Sequence, residues 1–526
     1  TNVAADRNVA VGLGSLQSMT SATTADTYNV AIGYNTGNQV TSGTNNTLIG
    51  SLAGDALTTG IQNVAIGRDA LTSEDTGSAS VAVGSFALQA QNYDGNSYNV
   101  AVGHDAGKSV TTGIYNTIVG GLAGDALTEG NNNVALGYQA LTTETLGDRN
   151  VAIGMNSLQY QNNTSDTDVY NVAVGYNAGN AITTGKQNAI LGALAGDALT
   201  TGQDNVALGY RALTGEQEGS RNIAIGYDAL RNQNAGGNSY NVGIGFAAGT
   251  DMTTGTSNTL IGGLAGYNLD SGSLNVAVGM QALEGEDANG RNVAIGVQAL
   301  KALNAGTNAF NVAVGYVAGL AVSTGTFNTL IGAHAADALT TGVGTTVLGA
   351  EALSAEDTGN YNTAIGAEAL KVQDGGTLNA ALGRQAGVAV TTGSNNTLIG
   401  AGAGDDVTSG SNNTLIGQGA GNVLTTGSNN VVIGRDTDLA ANSNTSSIII
   451  GEGLTGLGSS TTLIGSTATT KAHVHGLVKP TNATTSDVAV ALPNNIYVFS
   501  DDDGSTVTLP DSGAGAYIGA TFEFII

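Results

Sequence analysis

The chain has 526 residues, no cysteine, a net charge of −26 and only 11% charged residues, against a typical ~25%. The acidic balance excludes nucleic-acid binding through clustered Lys and Arg and docking on anionic membranes, and the missing cysteine excludes a disulfide framework or a thiolate metal site. Glycine, at 80 residues, is about twice its ordinary ~7% share, whereas the three prolines (Pro480, Pro493, Pro510) all follow residue 479. A long proline-free stretch suits stacked strands, where every backbone N–H serves the ladder. No apolar run approaches the ~20 residues of a membrane span, so membrane insertion is not expected.

From Gly12 to Gly465 a motif of the type Asn-Val-Ala-Ile-Gly recurs 27 times, mostly 17 residues apart, with some gaps of 19 or 21. Self-similarity at this period marks a repeat fold in which each repeat stacks on its neighbours. In Asn63-Val64-Ala65-Ile66-Gly67 the large and small residues alternate, as in a strand, and the glycine permits a turn. A second short strand is predicted over Ala56–Gly60, giving one coil of a parallel β-solenoid or β-roll per repeat. At ~4.8 Å per rung the array would run about 130 Å. The motif Asn suits an amide ladder. Val64 and Ile66 are expected on one side of the strand and Ala65 on the other. The recurring alanine face is left without a partner in a single coil, so an intertwined or side-by-side homotrimer is expected, packed on that face; the alternative is a monomeric solenoid in which alanine simply fills a thin coil.

A longer period of 68–72 residues overlies the short one, beginning near Gly33, Gly103, Gly175, Gly245, Gly315 and Gly383. Each unit passes through a Thr-Thr-Gly rung, an Asn-Thr-Leu-Ile-Gly rung and an acidic rung, then ends in a longer loop. The loops span residues 89–98, 159–170, 232–240 and 303–310, closed by Tyr98, Tyr170, Tyr240 and Phe310. These aromatics are either local clamps over the loop base or a line of binding bumps, since insertions in repeat proteins collect on one face. Glu74, Glu144, Glu216, Glu286 and Glu356 recur once per unit, too far apart for general acid–base pairs. They are expected to form surface pairs with arginines such as Arg149, Arg221 and Arg291. The aspartates of Ala-Gly-Asp-Ala-Leu (Asp55, Asp125, Asp197) read as turn or helix-start caps, because nonapeptide calcium rolls repeat far more closely.

Past the array, residues 466–480 form a junction containing His473-Val474-His475. On a strand both rings point the same way, and three copies on an axis would converge six imidazoles, enough for one octahedral Fe or Ni ion per trimer. Two exposed histidines are the plainer reading. His104 and His334 read as isolated surface residues. Residues 481–526 are expected to form a small C-terminal β-domain. No nucleophile elbow, phosphate loop or zinc motif is present, and no enzyme activity is expected.

The Asn-Val-Ala-Ile-Gly rungs of residues 8–465 resemble the head repeats of trimeric autotransporter adhesins, and still more the shafts of phage tail fibres of the marine and cyanobacterial type. The His473/His475 pair is similar to metal-binding pairs of trimeric phage fibres. The C-terminal stretch, with Ile496-Tyr497-Val498-Phe499 and Asp501-Asp502-Asp503-Gly504, resembles a small β-domain near the ends of phage fibre proteins. The resemblance implies a structural tail-fibre shaft on the virion, a homotrimer with other tail or fibre proteins as partners, supporting attachment to a host receptor such as a glycan or outer-membrane component. The alternative is a bacterial cell-surface adhesin or extracellular filament subunit.

Overall fold

The computed structural model describes residues 7–465 apart from 21–25, 164, 166, 287 and 289. The His473/His475 pair, the junction and the C-terminal domain expected from sequence lie outside the described residues. Within them the chain is a parallel β-solenoid of about 17 residues per rung, with no helix. Each rung contributes one strand of three residues, from Val9–Val11 to Thr462–Ile464, and these form a single 27-stranded sheet. The strands pair in parallel and in register, Thr47 with Val64, Leu48 with Ala65, Ile49 with Ile66, and so along the array.

The one further sheet among the described residues is a parallel pair of two-residue strands, Gly147–Asp148 with Thr167–Asp168. The predicted second strand over Ala56–Gly60 is absent; turns and bends occupy that part of the rung. Its backbone still bonds from rung to rung, as in Gly37 N–H to the Ala53 carbonyl (3.0 Å) and Thr41 N–H to the Thr58 carbonyl (2.9 Å). Left-handed residues flank this segment, Gly54 before it and Gln62 after it. Each typical rung has three such positions besides the motif glycine, for example Gln62, Asp69 and Leu71 with φ of 59°, 57° and 54°. A leucine in this conformation is costly in isolation, at ~1–2 kcal/mol. Here the stacked neighbours on both sides hold it in place.

The alanine face is not free. Ala65, Ala82 and Ala101 are fully buried, while Val64, Ile66 and their counterparts point outward and are partly exposed. Alanine lines a coil too thin for larger residues on every strand, so the face available to a partner is the opposite one. Core volume is balanced within a coil or, where both positions are small as at Ala31 and Gly37, by the next coil. Where the strand centre is Ala65 the left-handed position carries Leu71, and where the centre is Leu48 that position carries Gly54. A Cβ on Gly54 would lie 3.0 Å from Leu48 Cδ2, and one on Gly37 in the preceding rung 2.7 Å from Leu48 Cδ1.

The predicted amide ladder is present. Asn46 Oδ1 accepts the backbone N–H of Asn63 (2.9 Å), and Asn46 Nδ2 donates to the Gly60 carbonyl (2.9 Å). The pattern repeats through Asn133 and Asn150 to Asn413 and Asn430, all fully buried. It satisfies backbone groups that the turn would otherwise leave buried and unpaired.

Candidate functional site

Two surfaces and one buried network emerge from this geometry. The first surface is the outer face of the sheet. Its third strand position is Ile, Val or Leu in all 27 strands, and its first is Val, Ile, Thr or Ala, so neither column carries a charge. Leu136, Leu191 and Leu382 stand 42%, 47% and 47% exposed. With roughly 50 Å² of each outward side chain in solvent, the face totals on the order of 2,500 Å², against ~800 Å² per partner in a stable interface.

The second surface flanks the sheet and holds the predicted aromatics. Tyr98, Tyr170, Tyr240 and Phe310 all occupy the left-handed position just before the motif Asn and are about half exposed. They do not clamp the loop base alone but pair along the coil with residues of neighbouring rungs. Tyr98 stacks on Tyr115 with centroids 5.7 Å apart, and Phe310 on Phe327 at 5.4 Å. Arg149 lies over Tyr170 at 5.7 Å, Arg221 over Tyr240 at 5.6 Å and Arg291 over Phe310 at 5.4 Å. Just after the motif glycine a second column carries Tyr210, Tyr227 and Phe246, stacked in succession at 5.4 and 5.5 Å. Sequence reading missed this column, although its signal, an aromatic directly after the rung glycine, was visible.

The glutamates are buried and not at the surface. Glu74, Glu144, Glu216, Glu286 and Glu356 are fully enclosed, and Arg149 pairs instead with Asp168 and Arg221 with Asp204. The error arose because a charge at a repeat position is ordinarily solvated. Glu74 accepts the Gly77 N–H (2.7 Å), Gln91 Nε2 from the next rung (3.0 Å) and the Tyr93 N–H (3.3 Å). Glu144, Glu216 and Glu356 are held likewise by Gln161, Gln233 and Gln373 at 2.8, 3.0 and 2.7 Å. The glutamine passes the chain onward, its Oε1 accepting Asn99 Nδ2 in the first case (2.9 Å). Burial raises the Glu74 carboxyl above its ordinary range, against the lowering by those hydrogen bonds.

The repeated aspartates Asp55, Asp125 and Asp197 lie in turns, each with one buried carboxylate oxygen that has no hydrogen-bond partner, and there is no helix start at them among the described residues. Burial pushes Asp55, Asp125 and Asp197 upward, opposed mainly by nearby backbone N–H groups. His104 is exposed and His334 half-buried, and they sit beside Asp105 and Asp337, with Nδ1 to carboxylate distances of 3.2 and 2.8 Å. Among the described residues no cluster of three or more His, Cys, Asp or Glu could hold a metal ion. The expected Fe or Ni site at His473/His475 falls outside those residues. No helix among the described residues is long and apolar enough to cross a membrane. No known family model matches the chain, and no curated protein is significantly similar to it.

Proposed function

We propose that the chain is a structural shaft, assembled as a homotrimer and serving host attachment as part of a phage tail fibre. One observation carries the mechanical reading: an all-parallel sheet whose outer face is uncharged along all its strands and carries an unbroken aliphatic column at the third strand position. Parallel sheets occur almost only with both faces covered, and the coil covers one. Copies of the same chain, lying side by side on these outward columns, supply the second cover at every rung. The residues of the Asn-Val-Ala-Ile-Gly motif support the phage-fibre assignment through the resemblance drawn from sequence. A metal at His473/His475 and receptor contacts at Tyr98, Tyr170, Tyr240 and Phe310 belong to the same reading. A bacterial surface adhesin or filament fits the same coil.

Light scattering on the full chain is expected to give three copies. Ile153→Asp, Leu191→Asp and Ile225→Asp together should reduce it to one copy, because each places a charge in the covered face. A monomeric unaltered chain would overturn the assembly. Immunogold labelling separates the two biological readings, with fibres on phage tails expected and label confined to a cell envelope favouring the adhesin.

A further inference from the structure

The strands and the outer face differ little from rung to rung, so the backbone ladder alone does not fix which rung stacks on which. A Val-Ala-Ile strand can pair as well with the second strand along as with the next. Skipping one rung only loops out 17 residues, the separation of paired positions in most neighbouring rungs, and closing such a loop adds little entropy cost. We propose that two interior keys, repeated in the four-rung units, index the rungs and hold the stack in register.

The first key joins the first and second rungs of a unit. Gly37 leaves a hollow filled by Leu48 of the next rung; Gly107 and Ile118, Gly179 and Ile190, Gly249 and Leu260, and Gly319 and Leu330 repeat it. A Cβ on these five glycines would approach the facing residue to between 2.7 and 3.0 Å. Omitting the second rung leaves the hollow empty. Omitting the first brings a leucine such as Leu88 against Ile118, where no glycine makes room. Both mismatches are resisted by a close-packed interior.

The second key joins the third and fourth rungs. It is the buried pair Glu74–Gln91, repeated as Glu144–Gln161, Glu216–Gln233 and Glu356–Gln373. Seven residues past the motif glycine, the column reads Val40, Leu57, Glu74, Gln91, then Val110, Leu127, Glu144, Gln161. Omitting the third rung sets the glutamine under an apolar neighbour, and omitting the fourth does the same to the glutamate. Breaking a buried polar pair is far costlier than replacing it whole by apolar residues, which is how such pairs enforce register. In the fourth unit Leu303 takes the glutamine's place, so the first key acts there without the second. The Gly400 and Gly417 rungs carry neither distinction: Leu398, Gly404 and Val407 are followed by Leu415, Gly421 and Leu424.

The chain has no cysteine, so skipped rungs can be trapped by introduced pairs. Thr145→Cys and Thr183→Cys sit two rungs apart, about 9.6 Å, beyond the ~7 Å Cα reach of a disulfide. They can join only if the Gln161 rung is left out. After refolding and mild oxidation of the full chain, the intramolecular bond should be scarce. With Glu144→Val and Gln161→Leu added, copying the Val110–Leu127 step of the same column, it should increase at least about tenfold. Thr391→Cys with Thr425→Cys, in the uniform segment and with every key intact, should already cross-link well above the Thr145/Thr183 level. The proposal is overturned if removing the Glu144–Gln161 key leaves the Thr145/Thr183 yield unchanged, or if the uniform segment cross-links as rarely as the keyed one.

Discussion

At the scale of single residues, the motif glycine and the motif asparagine carry the fold for different reasons. Gly137 has φ of 142°, and an added Cβ would lie 2.6 Å from the backbone of Gly154. Gly137→Ala is therefore expected to cost about 2–4 kcal/mol, through both backbone strain and collision with the next rung. Gly236 is also left-handed, at φ 66°, yet a Cβ there meets nothing within 4 Å. Gly236→Ala should cost only about 1 kcal/mol, the conformational part alone. Equal losses for the two in chemical denaturation would show that the rung-to-rung approach is unimportant. Asn133 accepts the Asn150 N–H at 2.9 Å and donates to the Gly147 carbonyl at 2.9 Å. Asn133→Ala leaves both groups buried and unpaired, an expected loss of about 2–4 kcal/mol seen also as faster amide exchange in the two flanking rungs.

At the scale of the rung, the strand itself was legible because Val-Ala-Ile-Gly alternates with period two. The side facing inward was not. Alternation distinguishes two faces without saying which is buried, and large residues are the usual interior choice. Here the coil is so thin that alanine fills it, and Leu71 or Leu48 enters from one position at a time. The predicted second strand failed for a related reason: Ala-Leu-Thr-Thr-Gly has strand-like composition, but left-handed residues on either side, Gly54 and Gln62, confine it to a short stretch of turns and bends. The four-rung unit was visible as a repeat of acidic residues and longer loops. Its basis, a glutamate buried beneath each glutamine, depends on contacts 17 residues apart that periodicity alone does not reveal. Glu144→Leu alone should destabilise the coil by about 3–5 kcal/mol, whereas Glu144→Val with Gln161→Leu should restore most of the loss, as read by denaturant midpoints.

For the whole molecule, charge and burial set a pH dependence. Burial raises the folded-state values of Asp55, Glu74, Asp125, Asp197, Asp405 and Asp438. A raised carboxyl binds protons more readily in the folded than in the unfolded chain, so stability increases as pH falls through the raised values. The gain is complete below the ordinary carboxylate range near 4. The exposed Glu368, lowered by hydrogen bonds from Gln385 and Lys371, acts in the opposite sense, and its contribution is small because it is solvated. With a net charge of −26, self-repulsion also relaxes on acidification. The thermal midpoint is therefore expected to be higher at pH 5 than at pH 7.5. Replacing Asp55, Asp125 and Asp197 together by Asn should flatten that difference; an unchanged slope would mean that surface charge alone controls it.

The amino-acid sequence by itself determined that this is a parallel solenoid of 17-residue rungs, because a repeated turn glycine and a repeated strand admit one way of stacking. It also determined that this chain offers no thiolate, since it holds no cysteine. Only the tertiary structure decided which face is inside, where the glutamates lie and what the loop aromatics touch. Those are properties of neighbours along the coil, and a residue's neighbours there are a whole rung away in the chain.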